Sequence, residues 1–246
     1  MAYGFTLDMD RNGMLSLTEK NVQLIGSILL IDSNYKDSFI GADGSAQQLF
    51  KEYGITQNRQ ELTKIIEALD KENSTHLPVG DGIRLTVNTI CKIDDLESRL
   101  MNGDACLVDE IAKAVPGRYN VSFASKYCTF ASRYVLNEDN YVIYDSVIAD
   151  VIPYYAYYYL NENYLRRTRS VWPDLIKKQD GYDDYRKLIK RIIVAAKEDT
   201  GYRMSAAEFD STIWYYYKGN EKARVNLITD KVKELKRKVP YEPKRN

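Results

Sequence analysis

Apolar side chains recur three and four residues apart through most of this chain, and that spacing predicts helices in series. Residues 19–31 carry Val22, Ile25, Ile28 and Leu29 on one side, and the pattern stops near Asp32-Ser33-Asn34. Residues 45–53 form a short predicted helix halted by Gly54, while 58–71 sets Leu62, Ile65, Ile66 and Leu69 against a polar outer face. Three further short helices are predicted over 85–91, 96–101 and 105–115. The alternation across 83–90 also suits a strand, and the helical context decides for helix. Residues 182–200 turn Tyr185, Leu188, Ile189, Ile192, Ile193 and Ala196 inward and Arg186, Lys187, Lys190 and Arg191 outward. The expected fold class is therefore all-α.

Within this pattern, residues 122–160 stand apart. Phe123, Ala124, Tyr127, Cys128, Phe130 and Ala131 make an apolar helical face, so Lys126 leaves the backbone beside a core rather than from an open surface. Removal from water disfavours the charged form of an amine, which is how a lysine becomes a nucleophile near neutral pH. Nineteen residues later, Asp145 follows the apolar approach Tyr141-Val142-Ile143-Tyr144 and precedes a long helical run. A carboxylate there is a good N-cap and meets the positive end of the helix dipole. Each residue alone reads most simply as a solvated lysine or a plain cap; the combination makes them the candidate catalytic pair. The run of tyrosines at 154–159 reads first as packing, with hydroxyls reaching water, and second as a stacking surface for bases.

Charge changes the picture in the second half. Formal net charge is zero, but residues 1–120 carry 12 Lys+Arg against 18 Asp+Glu, and residues 121–246 carry 23 against 17. The basic half holds the candidate chemistry, as a phosphate-bearing partner requires. It includes Arg166, Arg167 and Arg169 and a basic stretch at 231–238, with Trp172-Pro173 predicted to mark a loop. Cys91, Cys106 and Cys128 are odd in number and lack metal-ligand spacing, which predicts reduced thiols and an intracellular, cytoplasmic protein. No apolar run approaches membrane-spanning length. Residues 8–19 fit a calcium-loop template through Asp8, Asp10, Asn12, Gly13 and Glu19, and Asn12-Gly13 fits a β-hairpin turn equally well. The only histidine, His76, lies in a predicted loop with no metal or triad partner.

The order of helix, turn, Lys126, linker, apolar approach and Asp145 resembles the helix-hairpin-helix DNA glycosylases, and within them the eight-oxoguanine glycosylase branch. That resemblance implies that Lys126 attacks the sugar C1′ and that Asp145 caps a helix and assists; the spacing between the two is also that of the branch. Residues 205–219, SAAEFDSTIWYYYKG, are similar to the final Asp-x-x-x-Trp helix of bacterial glycosylase-like proteins. Asp210 and Trp214, four apart on one face, would then line a base pocket together with Phe123 and Tyr127. The Gly-x-Gly hairpin of the family corresponds here to Pro116-Gly117-Arg118-Tyr119-Asn120, without the second glycine. Gly117, Arg118 and Asn120, with Arg166, Arg167 and Arg169, are the DNA contacts the resemblance implies.

It covers roughly the C-terminal half, the first 115 residues matching only as a helical prelude. The implied architecture is an extension at 1–18 and a single glycosylase-like domain at 19–246, with lobes at 19–115 and 116–246. The implied activity is excision of a damaged or modified purine from double-stranded DNA, with an AP-lyase step through a Lys126 Schiff base and neither metal nor cofactor. Resembling proteins occur among bacterial antiphage genes, so a modified phage base is one expected substrate. A catalytically silent nucleic-acid or protein-binding module on the same fold, which the missing glycine favours, and a hydrolase of free modified nucleosides are the alternatives.

Overall fold

The computed structural model describes residues 6–32, 41–73, 75–167, 169–218 and 221–238, the side chains of 221–225 and 238 excepted. Within them the periodic segments form twelve helices, and the only sheet among the described residues is a two-stranded hairpin. The expected all-α class is the observed one. Helix α1 (Glu19–Ile31) starts where the Thr18 hydroxyl accepts from the Asn21 amide, and it buries Val22, Ile25, Ile28 and Leu29. Ser45 caps α2 (Ala46–Tyr53) in the same way, and Gly54, at φ +66°, ends it. Next come α3 (Arg59–Asn73), α4 (Gly82–Ile90), α5 (Leu96–Met101) and α6 (Ala105–Ala112). The ambiguous 83–90 segment is thus a helix, with Thr86, Val87 and Ile90 buried. Past Ala112, where the sequence predicts helix to 115, the chain turns back on itself. His76 is an exposed loop residue with φ +54°.

Helix α7 (Val121–Tyr134) packs on α2, α3, α5 and α6. Helix α8 (Ser146–Leu160) packs on α10 (Gly181–Thr200), α11 (Ala206–Tyr217) and α12 (Glu221–Lys238). Between α8 and α10 lie β1 (Leu165–Arg166), β2 (Arg169–Ser170) and the short α9 (Trp172–Leu175). Trp172-Pro173, expected in a loop, therefore opens a helical turn; the ring of Trp172 is buried and proline is tolerated in a first turn. The lobe order expected from the sequence is crossed: α1 lies against α11, and α7 belongs with the helices before residue 115. One continuous apolar core runs through both sets, from Met14 to Leu235. The Pro240 and Pro243 tail lies outside the described residues. No helix among them is long and apolar enough to cross a membrane.

The segment before α1 resolves the calcium-or-hairpin choice. Met9 and Leu15 form an antiparallel bridge, the Gly13 amide donates to the Asp10 carbonyl at 2.9 Å, and Gly13 takes φ +75°, so Asn12-Gly13 forms a hairpin turn. The carboxylates needed for calcium have protein partners instead: Asp8 pairs with Lys20 at 2.6 Å, and Asp10 accepts from the Asn12 and Met14 amides and from the Tyr154 hydroxyl. Among the described residues no group of three or more His, Cys, Asp or Glu could hold a metal.

Tyrosine hydroxyls clamp this hairpin to α8 and α11. Tyr155 donates to the Leu15 carbonyl at 2.7 Å, and Tyr217 accepts from the Leu15 amide and lies 3.0 Å from the Tyr155 oxygen. All three groups are buried, so Tyr155→Phe strands a buried carbonyl and should cost about 1–3 kcal/mol. Thermal melting of the two proteins checks this, at about 2–4 °C per kcal/mol for a chain of this size; an unchanged Tm would show that the hairpin is not held by these hydroxyls.

Candidate active site

The site is built from the hairpin between α6 and α7 upward. The Arg118 amide donates to the Val115 carbonyl at 3.1 Å across Pro116-Gly117, and Gly117 has φ +74°. That is a type II turn, with proline and glycine at the positions whose backbone angles favour them. Gly117 and Arg118 are exposed at its tip. Asn120 ends the turn, its amide donating to the Ala112 carbonyl at 2.8 Å, while its side-chain Nδ2 is buried without a partner. The turn packs α7 against α6 and brings it into the middle of its helical group. It is buried on almost every side.

Lys126, one turn into α7, is consequently only 5% exposed. Its Nζ donates to the Ser122 hydroxyl at 3.1 Å and lies 3.6 Å from Oδ2 of Asp145. Asp145 caps α8: its Oδ1 accepts from the Val147 amide at 2.7 Å, which leaves Oδ2 facing the amine. The approach to Asp145 belongs to no helix or strand, and side chains satisfy its backbone groups instead. Tyr182 donates to the Val142 carbonyl and accepts from the Val142 amide, and Ser125 accepts from the Tyr144 amide at 3.0 Å. Ser125 and Tyr144 immediately precede Lys126 and Asp145, so this one bond sets the two candidate residues against each other. Gly181 lets α10 come close enough to bring Tyr182 into place, since a Cβ there would sit 2.4 Å from the Leu175 carbonyl oxygen.

A second ion pair borders the first. Arg133, seven residues along α7 from Lys126 and so on the same face, pairs through Nε with Asp139 at 2.8 Å. The other oxygen of Asp139 accepts from the Ala206 amide at the start of α11. Ser205 and Glu208 form the expected capping box at that helix start. This joins Arg133 to the helix that carries Asp210. Asp210 keeps part of its surface open, yet protein surrounds it closely enough that burial pushes its carboxyl up to about 7. The charge of Arg133 opposes that rise, Asp145 adds to it, and Lys126 and Asp139 act in the same opposed senses.

The other expected site residues fall in three places. Phe123 and Tyr127 are core: each is 1% exposed, and Tyr127 packs on Phe50 with ring centroids 5.6 Å apart. They offer no surface to a base, because spacing alone does not tell a pocket wall from a helix interior. Trp214 is half-buried, and the Lys218 ammonium lies 4.3 Å from its ring centroid, so a ring such as a base would exchange with this cation. Arg166, Arg167 and Arg169 cluster on the β1–β2 hairpin, where Arg166 and Arg169 both reach Asp174 at 3.5 and 3.1 Å. A depression of about 520 Å³ lined by residues including Gln57, Asp95 and Glu97 shares none of these groups. Sequence reading missed Ser122, Ser125, Arg133 and Asp139. Only Ser122 and Arg133 had a signal, their helical spacing from Lys126.

If Trp214 receives an extruded base, Trp214→Ala should weaken binding to a modified-base duplex by about 1–3 kcal/mol more than to plain duplex. Fluorescence anisotropy with both duplexes measures the difference, and equal losses would make Trp214 a packing residue.

Comparison with known proteins gives one family match: the model HI_0787_N, described as an N-terminal domain, matches residues 22–135. The matched stretch begins within α1, takes in α7 with Lys126 and stops before Asp145. No curated protein and no solved structure matches the chain.

Proposed function

We propose that this protein is a DNA glycosylase with an AP-lyase step, excising a damaged or modified purine from double-stranded DNA. The observation that carries the reading is the Lys126–Asp145 pair, Nζ to Oδ2 at 3.6 Å with side chains 7% and 15% exposed, held by the Ser125–Tyr144 bond. Removal from water favours the uncharged, nucleophilic form of an amine, and the neighbouring carboxylate is placed to receive the proton the amine sheds. The flipped nucleotide presents C1′ to the Lys126 amine, and the negative charge of Asp145 stabilises the positive charge that develops on the sugar as the base departs. The amine, once joined to C1′, forms the Schiff base as the C1′–O4′ bond of the sugar breaks and O4′ takes up a proton, and strand cleavage proceeds from that Schiff base. Ser122, accepting from Nζ, orients the amine. The helix–turn–helix of α6 and α7, the exposed arginines of the β1–β2 hairpin and the exposed Lys236 and Arg237 of α12 support a phosphate-bearing partner.

Borohydride reduction with an abasic-site duplex tests the reading, since it converts a Schiff base into a stable protein–DNA adduct. The expected result is an adduct with the wild-type protein. Its absence, with duplex binding intact, would favour a binding module without chemistry.

A further inference from the structure

The last turn of α8 carries aromatic rings to the surface on a fixed base. Tyr154 and Tyr155 beneath it are buried and held by their hydroxyls: Tyr154 donates to Asp10 and accepts from the Asn12 side-chain nitrogen at 3.3 Å, and Tyr155 donates to the Leu15 carbonyl. One turn later, Tyr158 stacks on Tyr154 with ring centroids 5.8 Å apart and planes 21° apart, and Tyr159 stacks on Tyr155 at 6.2 Å and 11°. Tyr157, Tyr158 and Tyr159 keep part of their surface open, and their hydroxyls make no hydrogen bond to any described residue. The packing reading of the tyrosine run thus describes the inner pair, and the outer three are left with ring surface that the fold does not cover.

Two cations lie over these rings. The Arg11 guanidinium is 5.7 Å from the Tyr158 ring centroid, and the Lys236 ammonium is 5.8 Å from that of Tyr157. Both side chains are exposed, and neither forms a hydrogen bond or ion pair with any described residue. The β1–β2 hairpin differs, because there Arg166 and Arg169 share Asp174. An exposed cation without a carboxylate, set beside an open aromatic face, matches both parts of an unpaired nucleotide, its phosphate and its base. A duplex keeps its base faces inside the stack, so it can use the cations but not the rings.

We propose that the last turn of α8, with Arg11 and Lys236, is a binding surface for single-stranded DNA. Unpaired bases stack on Tyr157, Tyr158 and Tyr159, and the phosphates between them take the two cations. The surface is separate from the Lys126–Asp145 pair, although one helix carries both. Asp145 caps the start of α8, and Tyr158 lies about 20 Å along its axis at 1.5 Å per residue. That length corresponds to about six nucleotide steps of 3.4 Å. The single-strand surface stands without the excision reading; where both hold, the unpaired stretch begins about six nucleotides from the reacting sugar.

The test is fluorescence anisotropy with a labelled oligothymidylate of about twelve nucleotides, titrated over a range of salt, with a blunt duplex and thermal melting of each variant beside it. The wild type should bind the oligonucleotide. Tyr158→Ala should weaken that binding about tenfold and leave the blunt duplex unaffected, while Tyr158→Phe should bind like the wild type, because the ring and not the hydroxyl makes the contact. The double variant Arg11→Gln/Lys236→Gln alters only exposed side chains. It should weaken binding and lower the slope of log K against log salt by about 0.7 for each lost phosphate contact. A wild type that does not bind the oligonucleotide overturns the inference, and so does binding that Tyr158→Ala and the double variant leave unchanged. Equal losses on single strand and blunt duplex in Tyr158→Ala overturn it too, since a duplex offers no unpaired base to stack on. If Tyr158→Ala melts early, the double variant decides alone. Borohydride trapping on the abasic duplex is scored separately, so the failure of this surface and the failure of the excision reading are told apart.

Discussion

Lys126→Gln should abolish base excision and covalent trapping, by at least about 10³-fold, while leaving duplex binding near the wild-type value. Glutamine nearly matches the length of the lysine stem, so the packing of the half-turn around Ala124 and Tyr127 survives. Its amide can still reach Ser122, which accepts from Nζ at 3.1 Å in the wild type. What disappears is the amine, and with it any bond to C1′. The change also leaves Asp145 without its cation, but Asp145 retains the Val147 amide and 15% side-chain exposure, which limits the cost in stability. Single-turnover excision, trapping and anisotropy on one preparation separate the outcomes. Excision that persists in Lys126→Gln removes the lysine mechanism altogether.

Asp145→Asn should reduce excision by about 10²–10³-fold, the scale of a lost charge at a developing transition state. Sequence reasoning alone expects little effect on folding, because asparagine caps a helix about as well as aspartate. The structure adds a term to that expectation. With Lys126 5% exposed, the neutral amide leaves a largely buried ammonium unpaired, and we expect a loss of about 1–3 kcal/mol, below the value for a fully buried pair because both partners keep some exposure. The double variant Lys126→Gln/Asp145→Asn removes the charge as well as its partner and should recover most of this melting loss without recovering excision. If melting and excision fall and recover together across the three variants, Asp145 is a plain helix cap and has no catalytic charge to lose.

How far the sequence led depends on the range over which each feature is decided. Local periodicity placed the 58–71 helix with Leu62, Ile65, Ile66 and Leu69 inward, and all four are buried in α3. Local chemistry placed the Ser205–Glu208 capping box and the Asp145 cap. Features set by distant partners were not legible. Nothing near Val22 or Ile25 says that α1 docks on α11, and nothing in 8–19 says that tyrosines 140 and 202 positions away satisfy Leu15. The same limit applies at the site. Lys126 and Asp145 were found because both are unusual where they stand, one in an apolar face and one at a helix start. The Ser125–Tyr144 bond that registers them, and the Arg133–Asp139–Ala206 link that ties the start of α11 to α7, are contacts between residues that look ordinary in sequence. Phe123 and Tyr127 show the converse: they lie beside the lysine in the chain yet are core residues, because helical spacing alone does not tell a pocket wall from a helix interior.

The central claim is that the Lys126 amine bonds to a sugar carbon. Borohydride reduction of the wild-type protein with an abasic-site duplex, followed by nuclease digestion and peptide mass mapping, asks this directly. The account predicts one reduced adduct, on Lys126, within the peptide that also carries Ser122 and Ser125. An adduct on any other lysine, or none under conditions where the duplex is bound, would contradict it.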